Sequence, residues 1–141
     1  MKHITDKPLD YSTLFEDFRD PDSGAVVLFS GEVRGINQGK EVSHLEYEAY
    51  DTMAEKMIGK ILEEASAKWS LNKAVCVHRT GRVEISGCAV VVITASAHRS
   101  AAYEANRHII DRVKHEVPIW KHEFFTDGTS EWGENCECHQ H

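Results

Sequence analysis

The chain has 141 residues, 41% apolar and 28% charged, proportions that suit a soluble globular domain with one sizeable core. Its net charge of −7, from 16 Lys and Arg against 23 Asp and Glu, repels a phosphate backbone, so no nucleic-acid partner is expected. No apolar run reaches the roughly 18 residues of a membrane span, and Met1 to Asp10 holds no apolar stretch of signal-peptide length, which points to a cytoplasmic protein with no membrane partner.

Asp10 to Arg19 reads as a short helix with Leu14, Phe15 and Phe18 on one side, ended by a turn at Pro21-Asp22-Ser23-Gly24. The continuous apolar run Ala25 to Phe29 predicts a strand buried on both faces that continues toward Arg34. Gly35 to Lys40 reads as a mobile loop. Val42 to Tyr50 alternates, with Val42, His44, Glu46 and Glu48 on one side and Leu45, Tyr47 and Ala49 on the other, as a second strand does. The clearest helix follows. Thr52 and Glu55 have capping-box spacing, and Met53, Met57, Ile58, Ile61, Leu62, Ala65 and Trp69 recur at helical intervals as a core stripe.

Lys73 to Thr80 and Cys88 to Ala97 predict two further strands, with a chain turn between them at Gly81 and Gly87. Cys76 and Cys88 lie among β-branched residues as small strand or core side chains, and four cysteines at this length do not make a disulfide framework. Ser100 can cap a second long helix whose buried stripe is Ala102, Ala105, Ile109, Ile110 and Val113, and Pro118 stops it. A last strand runs from Ile119 to about Phe125, and the polar tail from Ser130 reads as loose. Mixed rather than strictly alternating strands and helices indicate an α+β domain with a mostly antiparallel sheet and two main packed helices. Residues 1–132 are read as this single domain and 133–141 as a flexible tail.

Dinucleotide, P-loop, HExxH and GxSxG patterns are absent, which removes the nucleotide and serine-nucleophile readings. Cys136, Cys138, His139 and His141 could ligate a borderline metal, but they stand in a terminal tail without an apolar scaffold, so no metal site is assigned. More telling are cations at the ends of predicted elements. Arg34 ends a strand, His98 and Arg99 stand where a strand meets a helix, Lys114 lies one turn past Ile110, and Lys121 follows Ile119-Trp120. Singly, each has a plain explanation: Lys114 can pair with Asp111, and Arg99 can face water. Together, two lysines from different elements can enter one pocket and hold an anionic substrate and a developing oxyanion. A lysine crowded by other cations can also serve proton transfer or covalent catalysis.

Gly31-Glu32-Val33-Arg34, Leu45 to Tyr50 with Met53-Ala54, His78-Arg79-Thr80-Gly81, Ala97-His98-Arg99, Ile110-Asp111 with Lys114, and Pro118-Ile119-Trp120-Lys121 occur in order. From about residue 4 to 132 this series resembles the large, catalytic subunit of molybdopterin synthases. The resemblance implies an α/β hammerhead-type fold and a homodimer of large subunits within a heterotetramer. The partner it implies is a small ubiquitin-like sulfur-carrier subunit whose Gly-Gly C-terminus bears a thiocarboxylate. It also implies sulfur transfer to cyclic pyranopterin monophosphate (precursor Z), forming the dithiolene of molybdopterin, with no cofactor. By that resemblance Lys114 and Lys121 are catalytic, and Arg34, His98, Arg99, His122 and Glu123 join them in binding substrate. His98 and Arg99 are expected to reach the neighbouring subunit's pocket. The competing readings are a non-enzymatic docking module, which would bind without sulfur transfer, and a metal-dependent hydrolase, which chelation would silence.

Overall fold

The structure, a computed structural model, describes residues 2–134. In chain order these form β1 (Ile4–Thr5), α1 (Tyr11–Asp17), β2 (Ala25–Glu32), β3 (Ile36–Asn37), β4 (Lys40–Ala49), α2 (Asp51–Trp69), β5 (Lys73–Arg79), β6 (Gly81–Glu84), β7 (Cys88–Ser96), α3 (Arg99–Glu116), β8 (Ile119–Phe125) and β9 (Ser130–Glu134). The strands make two sheets. One has the order β1-β5-β7-β2, and the other has β3-β4-β8-β9 with β6 also paired to β4. Every pairing is antiparallel except the short β1 beside β5. The expected α+β class with a mostly antiparallel sheet and two main helices is what the chain adopts.

The first sheet is covered on both faces, which explains why β7, at its centre, is buried at all nine positions. On one face the α2 stripe Ala54, Ile58, Ile61, Leu62 and Ala65 and the α3 residues Ile109, Ile110 and Val113 pack with Cys76, Val90 and Val92. On the other, Leu9, Leu14 and Phe18 from the α1 region meet Val75, Val77, Val91 and Ile93. Burying side chains at i, i+3 and i+4 drives both long helices onto the sheet. Asn106 adds a polar pin: buried on α3, its side-chain amide donates to the carbonyls of Val27 and Val92 at 3.0 and 3.1 Å. A buried amide requires such partners, and here they tie helix to strands.

Several expectations are corrected. β2 is half-buried rather than buried on both faces, because it is the outer strand of its sheet. Val42 lies on the core side with Leu45 and Tyr47, since a bulge between Val42 and His44 shifts the alternation. Thr52 and Glu55 form no capping box. The helix begins at Asp51 without a side-chain cap, and the Glu55 carboxylate instead accepts from the backbone N–H of His3 and Ile4 at 2.8 to 3.0 Å, docking β1. Met53 is 49% exposed, outside the core stripe. α3 starts at Arg99 with His98 as its cap position, not Ser100. The turn at Gly81 opens directly into β6, and Ser130–Glu134 is a strand paired with β8 rather than loose chain. The remainder of the tail, with Cys136, Cys138, His139 and His141, lies outside the described residues.

Candidate active site

The two sheets and α3 enclose a cavity of about 420 Å³. Its floor is one row across the first sheet, because Gly31 pairs with Val90 and Val90 with His78, and all three line the cavity. Gly31 is required there. A Cβ at this position would stand 2.6 Å from Val90 Cγ1, inside van der Waals contact, so any side chain would push the strands apart. The side wall is built from β4 and β8, where Tyr47 pairs with Lys121 and Leu45 with Glu123. With a period of two, Lys121 and Glu123 share a face and turn inward beside Tyr47 and Leu45.

The third side comes from α3, through Ile110, Asp111 and Lys114, and the rim from Arg34 and Asn37 on the segment after β2. Lys114 and Lys121 thus enter one cavity from a helix and a strand that Pro118 separates. Apolar residues, among them Phe29, Val33, Val42 and Ala89, complete the walls, and low-polarity walls strengthen whatever charge contacts form inside.

Polar groups inside the cavity are organised around Glu123. Its carboxylate, with the side chain 11% exposed, lies 3.6 Å from the Lys121 ammonium, itself 17% exposed. Asn37 Nδ2 donates to both carboxylate oxygens, at 3.0 and 2.8 Å. Burying an anion is costly unless charge and hydrogen bonds compensate, and these two residues supply both. His78 is fully buried beneath them, edge-on to Tyr47 with ring centroids 5.0 Å apart. Its Nδ1–H donates to the Arg79 carbonyl at 2.8 Å, which fixes the tautomer and leaves Nε2 as the acceptor. Burial, reinforced by the charge of Lys114, pushes its pKa down from 6.5 to about 4, while the bond to Arg79 works the other way. The imidazole is therefore neutral at physiological pH, and the positive charge of the cavity resides in Lys114, Lys121 and Arg34.

Of the residues singled out in the sequence, Arg34, Lys114, Lys121 and Glu123 line this cavity. His98 and Arg99 are exposed at the start of α3 and are not among its lining residues. Nor does His122 line it: strand alternation turns it to the opposite face of β8, where its ring packs against Phe124 and Trp132 at centroid distances of 4.1 and 4.3 Å. Asp111 forms an ion pair with Arg107, at 3.7 Å. Cys76 is buried, and desolvation raises its thiol pKa to about 12, so it is no nucleophile. Among the described residues no group of three or more His, Cys, Asp or Glu is disposed to hold a metal, and no helix is long and apolar enough to cross a membrane.

Asn37, Tyr47 and His78 were given no role from sequence. His78 sits in an apolar strand run that reads as core, and Asn37 in a polar segment that reads as loop. Only the pairing of distant strands gives either one a functional setting.

The family pattern described as MoaE protein matches residues 4–116. The molybdopterin synthase catalytic subunit of Thermoplasma volcanium is 43% identical over 129 residues, covering 92% of this chain and 94% of its own length. Molybdopterin synthase from Staphylococcus aureus superposes with a TM-score of 0.87 at 41% identity, over 94% of this chain and 96% of that one. A Helicobacter pylori complex of subunits 1 and 2 of molybdopterin-converting factor shares the fold, with a TM-score of 0.77 at 21% identity over 92% of this chain and 88% of that one.

Proposed function

Because the chain belongs to the MoaE protein family, with relatives that are molybdopterin synthase catalytic subunits, we propose that its cavity is a sulfur-transfer site. The substrate in this reading is cyclic pyranopterin monophosphate, which receives two sulfurs in successive steps to form the molybdopterin dithiolene. The donor is the C-terminal thiocarboxylate of a small ubiquitin-like carrier with a Gly-Gly end. The protein is a sulfurtransferase that works in the cytoplasm, residues 1–132 being its single domain.

The observation that carries the proposal is the convergence of Lys114, Lys121 and Arg34 on one cavity in a chain whose net charge is −7. A thiocarboxylate and a cyclic phosphate are both anions and repel each other. Fixed cations between apolar walls offset that repulsion, hold the reacting atoms near one another and stabilise the oxyanion that forms at the carrier's terminal carbon. Lys114 and Lys121 are assigned to the reacting centre. Arg34, at the exposed rim, is assigned to capture of the phosphate. A Gly-Gly end suits the cavity because glycine is narrow and its backbone can hydrogen-bond to the walls.

In this reading the carrier docks on this chain as a second subunit, and support comes from the Helicobacter pylori structure of the same fold, which is a complex of two subunits. Two large subunits associate, giving a heterotetramer, and His98 and Arg99 of one copy complete the cavity of the other. Their exposure away from their own cavity supports that arrangement.

Reconstitution tests the reading. The chain is mixed with thiocarboxylated carrier and precursor, and molybdopterin is measured. Turnover is expected, and Lys121→Ala is expected to lower kcat by about a hundredfold or more while calorimetric affinity for the carrier is kept. Carrier binding without sulfur transfer by the unaltered chain would instead indicate a docking module. Near-normal turnover by Lys121→Ala would remove the catalytic assignment.

A further inference from the structure

We propose that Asn37 is a positioning residue for this reaction: from β3 its side-chain amide fixes the Glu123 carboxylate, which in turn fixes the Lys121 ammonium inside the cavity. The inference rests on the assignment of Lys121 to the reacting centre.

Glu123 and Lys121 lie two residues apart on β8 and share a face, and at 3.6 Å the ammonium is held by charge attraction rather than by a close hydrogen bond, so the place of the carboxylate decides where the ammonium is drawn. Asn37 supplies the close contact that pair lacks, since its Nδ2 donates to both oxygens at 3.0 and 2.8 Å and so anchors the end of the Glu123 side chain in place. These partners are 86 residues apart in the chain, so the contact is made only when the β3–β4 hairpin lies over β8. The hairpin itself is exact about where it places Asn37. Gln38 and Gly39 both have positive φ, 51° and 79°, and form a two-residue turn that pairs Asn37 with Lys40. Asn37 is half-buried while Ile36, Gln38, Gly39 and Lys40 are exposed. Lys40 ties the hairpin independently to Thr129 at 3.0 Å and to Asp127 at 3.6 Å, so the hairpin keeps its place without Asn37 and the amide's contact with a buried carboxylate does more for the site than for the fold. Displacing a reacting group by about an ångström can cost on the order of a hundredfold in rate.

The test compares Asn37→Ala, Asn37→Asp and Glu123→Ala, singly and with Asn37→Ala combined with Glu123→Ala, in the reconstituted assay with full chain, thiocarboxylated carrier and precursor. Asn37→Ala should lower kcat on the order of tenfold to a hundredfold, with KM for precursor within about twofold and a fall in melting temperature of only about a few degrees, from the lost hydrogen bonds to a buried carboxylate. Asn37→Asp sets a second carboxylate against Glu123, so its turnover should be low at neutral pH and recover as pH falls and the pair takes up a proton. In the Glu123→Ala background, Asn37→Ala should change kcat by less than about twofold, because the relay is already broken. Wild-type kcat in Asn37→Ala, equal losses in the two backgrounds, or a loss that tracks melting temperature would each overturn the proposal. Lys121→Ala separates the two failures. If it abolishes turnover while Asn37→Ala does not, only the positioning role falls; if it turns over normally, the catalytic assignment falls and the relay with it.

Discussion

Acidification should destabilise this fold through His78, and the size of the effect follows from its burial. The ring is 1% exposed, and its pKa drops from 6.5 to about 4, chiefly because burial disfavours the imidazolium. A depressed folded-state pKa means that the unfolded chain binds a proton the folded chain refuses. The stability conferred by a neutral His78 is thus fully present above about pH 6.5 and is lost as pH falls from there toward 4. At pH 5 the unfolded ring is charged and the folded ring is not. About 1.5 pH units of linkage, roughly 2 kcal/mol, then separates pH 5 from pH 7, rising toward about 3 kcal/mol near pH 4. The assay is urea denaturation of wild type and His78→Gln at half-unit steps from pH 7.5 to 4.5. The variant is less stable throughout, because glutamine fills the site imperfectly, but the prediction concerns slope. The wild-type curve should lose roughly 2 kcal/mol more than the variant's between pH 7 and 5. Parallel curves would refute the reasoning and mean that the ring takes up its proton inside the fold at little cost.

Arg34→Ala, which removes an exposed rim cation, should raise KM for precursor on the order of tenfold and leave kcat nearly unchanged; steady-state kinetics at saturating carrier read this, and a loss confined to kcat would place Arg34 at the reacting centre. Mixing inactive Lys121→Ala chains with inactive Arg99→Ala chains should restore turnover toward a quarter of wild type if each cavity borrows Arg99 from the neighbouring copy, since half the chains form hybrids with one intact cavity. No recovery after subunit exchange would confine each cavity to a single chain. Glu55→Ala strips the carboxylate that holds the N–H groups of His3 and Ile4, so it should cost about 1–3 kcal/mol by denaturation. Hydrogen exchange should accelerate first at the His78 and Thr80 amides, which bond to the carbonyls of His3 and Thr5.

Elements that bury a continuous or periodic apolar surface were legible in the chain itself. The run from Cys88 is buried at every position of β7, and the stripe around Ile58, Ile61 and Leu62 became the core face of α2, because burial imposes its period directly on the residues that pay for it. The short elements β1, β3, β6 and β9 left no such mark: two to five residues carry too little periodicity to be read. Side-chain contacts that join distant segments were likewise invisible. Glu55 looked like half of a capping box because Thr52 stands three residues before it, and only the return of the N-terminus to α2 reveals its use.

The site divides in the same way. Lys114, Lys121, Arg34 and Glu123 could be singled out from residue type, from position at the ends of elements and from family resemblance, all properties of the chain in one dimension. That four of them meet in one cavity while His122 turns away was decided by strand alternation combined with the pairing of β8 to β4. The charge state of His78 and the contact between Asn37 and Glu123 were decided later still, by desolvation and by the packing of a hairpin over a strand 86 residues distant. Sequence fixes which chemical groups are available and which faces seek burial; the neighbours that tune those groups are set by contacts between segments far apart in the chain, and these exist only once the two sheets have closed around the cavity.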